Sequence, residues 1–180
     1  MMKKIICTAL LLMVSAVTAP AAMLSISPSV NNVTVGQAFT LDFNIAGVTD
    51  LYSWEVYFDF GPIGLLSATG FTEGPFLGAG TTFGGSFNNP AATFYMYNSL
   101  SGASGVTGGG LLAQMSFLAS APGTSIVSFT SILMLDSNLD TIFPDTLSGA
   151  TVNIGDVPEP STFAFMALGL AVGAVIRRRI

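Results

Sequence analysis

The sequence predicts an all-β protein: one antiparallel β-sandwich, flanked by an N-terminal signal helix and a C-terminal transmembrane helix. Three observations lead there. Apolar and polar residues alternate with a period of two through the middle of the chain. Glycine and proline punctuate that middle at short intervals. Both ends are uncharged, largely apolar runs bordered by basic residues.

Residues 1–22 read as a secretory signal. Lys3 and Lys4 form the positive start, Ile5 to Val17 the apolar stretch, and Ala19-Pro20-Ala21 the small residues of a cleavage site. A buried N-terminal helix is the bland alternative. It does not explain why charge, apolar run and cleavage motif come in that order.

Residues 23–156 read as strand after strand. Phe39, Leu41, Phe43 and Ile45 alternate with Thr40, Asp42 and Asn44. Tyr52, Trp54, Val56, Phe58 and Phe60 alternate with Ser53, Glu55, Tyr57 and Asp59. Leu111, Ala113, Met115, Phe117 and Ala119 alternate against Leu112, Gln114 and Ser116. Each set places its apolar members on one face of a strand. Leu24-Ser25-Ile26, Thr93 to Tyr97, Ser125 to Leu135 and Ala150 to Ile154 are further β-rich runs. Turn signals separate them at Gly36, Ala46-Gly47, Gly61-Pro62, Asn88-Asn89-Pro90, Pro122-Gly123 and Ser148-Gly149. About 130 residues suffice to close one core without disulfides.

Charge narrows the function. The chain is 51% hydrophobic and only 8% charged, against about 25% charged in ordinary globular proteins. All five basic residues are terminal, and there is no His. Between Ile5 and Ile176 the only charges are the ten carboxylates, from Asp42 to Glu159. This excludes nucleic-acid binding, which needs Lys and Arg against phosphate. An acidic membrane surface would repel the domain for the same reason. The usual general bases and oxyanion clamps are missing too. The single cysteine, Cys7, precedes the apolar run of the signal, so it does not suit lipidation. A processed chain would hold no cysteine for disulfides, thiolate catalysis or metal.

The C-terminal segment, residues 157–180, mirrors the first. Val157-Pro158-Glu159-Pro160-Ser161 leads into a predicted helix over about 162–176, and Arg177, Arg178 and Arg179 follow. Fifteen helical residues span roughly 22 Å, short of a ~30 Å hydrocarbon core. The arginines would stay cytoplasmic and the bulk of the chain outside. An ordinary tail anchor would have this form as well. The ordered combination of Val157, Pro158, Glu159, Pro160, an apolar run and Arg177 to Arg179 resembles the PEP-CTERM sorting signal of Gram-negative bacteria. That resemblance implies an exosortase, a membrane protease, as processing partner. It also implies a place in the cell envelope, at the cell surface or in an extracellular biofilm matrix.

A second resemblance covers about Leu24 to Ile154. Val33 to Leu41 opens it, and Gly47 to Asp59 follows. Then come Gly70 to Leu77, Gly108 to Phe117, and Pro122-Gly123-Thr124. In that order they look like the cohesin-like domain, a jelly-roll sandwich of about nine strands that often accompanies this sorting tail. The resemblance implies non-enzymatic binding, since cohesins hold dockerin modules and relatives include carbohydrate-binding sandwiches. Phe60-Gly61-Pro62-Ile63-Gly64 departs from the pattern, where a shorter Asp-Pro turn is expected. No dockerin-contacting residue carries over.

Candidate chemistry is sparse. Asp136, Asn138 and Asp140 alternate oxygen ligands in a way that suits weak Ca²⁺ binding, with Asp145 nearby. They are not an EF-hand, because Thr141 and Leu147 stand where Gly and Glu belong. An acidic β-turn is the simpler reading. Glu55 and Asp59 share the polar face of one strand, roughly 13 Å apart. That exceeds the ~9.5 Å of an inverting glycosidase. The glycine-rich stretches at Gly78 to Gly80 and Gly102 to Gly110 match no nucleotide fingerprint. Tyr57, Tyr95 and Tyr97 are the binding candidates: Tyr57 lies opposite the apolar face of its strand, and Tyr95 and Tyr97 lie opposite Phe94 and Met96. Core packing is the stronger reading for the aromatic set as a whole, Trp54 above all.

The expectation is therefore a surface-displayed, non-enzymatic binding or structural module without a required cofactor. Its partner would be an envelope or extracellular protein, dockerin-like by the second resemblance. A polysaccharide-binding module is the alternative, and a glycosidase with a carboxylate pair comes last.

Overall fold

The computed structural model describes residues 22–78, 81–102 and 104–156. The signal helix, the sorting-motif residues and the transmembrane helix lie outside the described residues. Among those described, no helix is long and apolar enough to cross a membrane.

Ten strands run along the chain: β1 (Met23–Ser27), β2 (Val30–Thr34), β3 (Ala38–Gly61), β4 (Leu66–Glu73), β5 (Gly84–Asn88), β6 (Thr93–Ser99), β7 (Val106–Ala119), β8 (Gly123–Asp136), β9 (Thr146–Ser148) and β10 (Ala150–Gly155). They form a jelly-roll sandwich of two leaves. The first has the order β9-β1-β3-β7-β4 and the second β5-β6-β3-β8-β10-β2.

The 24-residue β3 belongs to both leaves. Its first half pairs with β1 and β7, and its second half with β6 and β8. The predicted turn at Ala46-Gly47 is thus not a reversal. It is an irregularity inside one continuous strand, with register shifts between Ile45 and Val48 and between Val48 and Leu51. Gly47 has φ +67° and Asp50 φ +58° there. Glycine serves a bulge as readily as a hairpin, so the dipeptide alone does not distinguish them.

The alternation seen in sequence sorts the core. Leu24, Ile26, Leu41, Phe43, Ile45, Met115 and Phe117 enter from the first leaf. Trp54, Val56, Phe58, Phe60, Phe94, Met96, Val127, Met134, Val152 and Ile154 enter from the second. Phe43 meets the rings of Trp54 and Phe58 edge-on, each at 5.3 Å, and Phe60 meets Phe117 at 5.4 Å. Burying one such side chain stabilises the fold by about 1.5–3 kcal/mol. Leu112 falls on the polar register of β7 yet is buried, because β7 shifts register against β3 between Phe43 and Asn44.

The strands that patterning passes over, β2, β4, β5 and β9, all lie at leaf edges. Two edge pairings, β1 with β9 and β10 with β2, are parallel rather than antiparallel.

Candidate binding face

The outer face of the second leaf is assembled from the central strands β3, β6 and β8. The inward residues of β3 leave Ser53, Glu55, Tyr57 and Asp59 pointing out, and those of β6 leave Thr93, Tyr95, Tyr97 and Ser99 out. Register then brings the candidates together. Tyr57 stands opposite Tyr95 across β3 and β6, and Glu55 stands opposite Tyr97. On the other side of β3, Glu55 faces Leu133 and Tyr57 faces Ser131.

The three tyrosines make a row. Tyr57 and Tyr95 stack at 4.5 Å with 28° between planes, and Tyr95 and Tyr97 lie 5.6 Å apart. Tyr95 is therefore flanked on both sides. Tyr97 leans over Gly84 of β5, where an added Cβ would come within 2.5 Å of its hydroxyl. Only glycine leaves room for the ring there. Tyr57 is 42% exposed.

Glu55 anchors the electrostatics. Desolvation pushes the Tyr57 hydroxyl above its ordinary pKa, and the charge and hydrogen bonding of Glu55 add to this. Tyr95 is raised by the same causes, with smaller contributions from Tyr57 and Tyr97. Both hydroxyls therefore stay protonated donors across the physiological range. Beside the row lies a groove of about 220 Å³, lined by Ser53, Trp54, Glu55, Tyr95, Tyr97, Asn98, Ser99, Leu133 and Leu135. Trp54 itself points into the core and is 2% exposed.

No carboxylate pair forms on this face. The cross-strand neighbours of Glu55 are Tyr97 and Leu133, and those of Asp59 are Thr93 and Ser128. The two acids stay four residues apart on one strand, about 13 Å. Glu73 lies elsewhere, accepting bonds from Asn98 Nδ2 at 2.9 Å and from the Thr81 hydroxyl.

Asp136 ends β8, and Asn138 and Asp140 follow in the turn after it. Asp136 Oδ1 accepts from the amides of Asn138 and Asp140 at 2.8 and 2.9 Å, and Leu139 takes φ +67°. The carboxylate closes its own loop. Among the described residues, no group of three or more His, Cys, Asp or Glu is placed to hold a metal ion.

Sequence reasoning passed over Asp50. Its carboxylate accepts from Ser137 Oγ at 2.6 Å, Ser137 N at 3.3 Å and Gly105 N at 2.8 Å. These bonds, led by that of the Ser137 hydroxyl, hold its pKa below the usual range. Asp50 fastens the kink of β3 to two loops. The one local hint is that Asp tolerates the left-handed backbone better than most residues.

Residues 156–179 match the family described as the PEP-CTERM protein-sorting motif. The motif indicates export to the Gram-negative cell envelope and implies processing by an exosortase. Solved structures similar to this chain include a non-cellulosomal cohesin from Archaeoglobus fulgidus. It is 12% identical with a TM-score of 0.64, over 81% of this chain and 97% of that one. A type I cohesin in the Coh-OlpA–Doc918 cohesin–dockerin complex of Clostridium thermocellum is 13% identical with a TM-score of 0.65, over 75% and 99%. A type II cohesin domain from the cellulosome of Acetivibrio cellulolyticus is 16% identical with a TM-score of 0.64, over 74% and 96%. At such identities the likeness is one of fold. None of the curated proteins matches the sequence.

Proposed function

We propose that this protein is a non-enzymatic docking module of the cell envelope, held for sorting by its C-terminal segment. In this reading the tyrosine face of the second leaf receives another exported protein. The observation that carries the proposal is the row Tyr57–Tyr95–Tyr97 around Glu55 on an exposed sheet face. Tyrosines bury large area at small conformational cost and keep a polar tip, which suits protein interfaces. The cohesin fold supports the reading, and the dockerin named with one of its neighbours makes a dockerin-like module the first partner to try.

The row favours a protein over a polysaccharide. Sugar stacking needs a free ring face, and the central ring, Tyr95, has a tyrosine on each side.

The test uses residues 22–156 as bait against extracellular and envelope fractions of the producing cell, beside a Tyr57→Ser/Tyr95→Ser variant. The reading predicts one dominant protein, identified by mass spectrometry, that the variant fails to retain. Retention of polysaccharide by both baits would overturn it in favour of the sugar-binding alternative.

A further inference from the structure

The structure also shows which end of the sandwich adjoins the tail. Strand β10 ends at Gly155, whose carbonyl accepts from Val35 N at 3.1 Å. The same end is knit from three chain reversals: residues 34–37, 61–65 and 119–123. Gly36 N donates to Ala119 O at 2.8 Å, Ala119 N to Gln37 O at 3.0 Å, and Ser120 N to Leu65 O at 2.8 Å. These bonds make a firm end-plate, and the tail departs from it.

None of the three reversals carries a charge. They read Thr-Val-Gly-Gln, Gly-Pro-Ile-Gly-Leu and Ala-Ser-Ala-Pro-Gly. Ile63, at the tip of the second, is 66% exposed. The opposite end is different. It holds Asp50, bonded to Ser137, and the Asp136–Asp145 connection with its three carboxylates. Exposed apolar residues occur there too, Leu139 and Phe143, but among acids. The tether end has one carboxylate of its own, the exposed Asp156 that follows β10, against Asp50, Asp136, Asp140 and Asp145 at the other, and with no Lys or Arg between Ile5 and Ile176 nothing offsets that difference.

We infer that, while the tail is embedded, the end-plate with Ile63 at its tip rests on the lipid headgroups and the acidic end points away. The inference rests on the reading of residues 162–176 as a membrane helix. From Asp156 to Thr162 is six residues, at most about 20 Å when fully extended. The end-plate is therefore held within a short tether of the bilayer. An anionic bilayer surface repels carboxylates within about a Debye length, ~10 Å at 0.1 M salt. Of the two ends, the one that carries Asp156 alone pays the smaller cost. The tyrosine face then stands upright, along the flank of the domain and accessible from the side.

The test places one label at a time. After export, with the signal removed by the secretion machinery, the chain carries no cysteine. Ile63→Cys, Leu139→Cys and, in the tail, Ala167→Cys each give a single fluorophore site. Each labelled chain is reconstituted in vesicles of phosphatidylethanolamine and phosphatidylglycerol that contain a headgroup nitroxide quencher and a chain-attached one. The expected result is strong quenching at position 167 and several-fold more headgroup quenching at 63 than at 139. Equal quenching at 63 and 139, or more at 139, with position 167 quenched, overturns the orientation and leaves the anchor standing. An unquenched position 167 overturns the anchor reading, and the orientation with it.

Discussion

Both outer faces of the sandwich share strand β3, yet they use their polar side chains in opposite ways. On the first leaf the outward groups satisfy one another. Asn44 Nδ2 donates to Ser27 Oγ at 2.9 Å, and Gln114 Nε2 donates to Asp42 Oδ1 at 2.8 Å. Their hydrogen-bonding capacity is largely spent within the leaf, and no tyrosine stands among them. On the second leaf the outward groups are three tyrosines about a carboxylate, beside a groove of about 220 Å³. The polar groups named on the first face are bonded to one another, whereas the second presents rings, hydroxyls and a carboxylate. One strand thus supplies a self-bonded face and the face proposed for docking, according to what alternates with its core residues.

The largest expected effect removes the basis of the comparison altogether. Phe43 contacts the rings of Trp54, Phe58 and Phe129 from across the core. Phe43→Ala should cost about 3–5 kcal/mol. Denaturant unfolding followed on both leaves should then show one transition shifted as a unit, because the core belongs to both.

Next come changes that separate the faces. Tyr95→Ala should weaken partner binding by about 2 kcal/mol, the loss typical of a buried interface aromatic, while the unfolding midpoint moves little. Calorimetric titration with the captured partner checks the first part and thermal unfolding the second. Gln114→Ala should do the reverse. It should cost about 0.5–1.5 kcal/mol of stability and leave binding unchanged. Glu55→Gln should reduce the salt dependence of binding, since it removes the one carboxylate within the tyrosine row.

The smallest effects are electrostatic, beginning with Asp50, which belongs to neither face. The folded pKa of Asp50 is depressed, so its contribution to stability is present above the ordinary carboxylate pKa. That contribution is lost as pH falls through the folded value. Asp50→Asn should therefore be less stable than the native chain at neutral pH, and the gap should close under acid. Tyr57 and Tyr95 act in the opposite sense. With raised pKa values they stabilise the fold below pH 10, and that contribution is lost as alkali carries them through the folded values.

How much of this was legible in the sequence follows from burial. Phe43, Trp54, Phe58, Phe94 and Phe117 are on central strands, where one face meets a core and the other does not, so period two survives in the residues. Edge strands are different. Val30-Asn31-Asn32-Val33-Thr34 and Gly84-Gly85-Ser86-Phe87-Asn88 have little core face to mark. That Tyr57, Tyr95 and Tyr97 stand opposite the apolar faces came directly from alternation against Val56, Phe58, Phe94 and Met96, although core packing was the stronger reading for the aromatic set. Their gathering into one row did not, because the register between β3 and β6 is set by a connection through β4 and β5. Asp50 was hidden for a similar reason: its partners Gly105 and Ser137 lie 55 and 87 residues away.

The central claim is that the second leaf, and not the first, is the docking face. Oxidative footprinting of residues 22–156, with and without the captured partner, tests it most directly. The account predicts protection of Tyr57, Tyr95, Tyr97 and Leu133, with Leu118 of the first leaf oxidised equally in both states. Protection of Leu118 with the tyrosine row still reactive would contradict it.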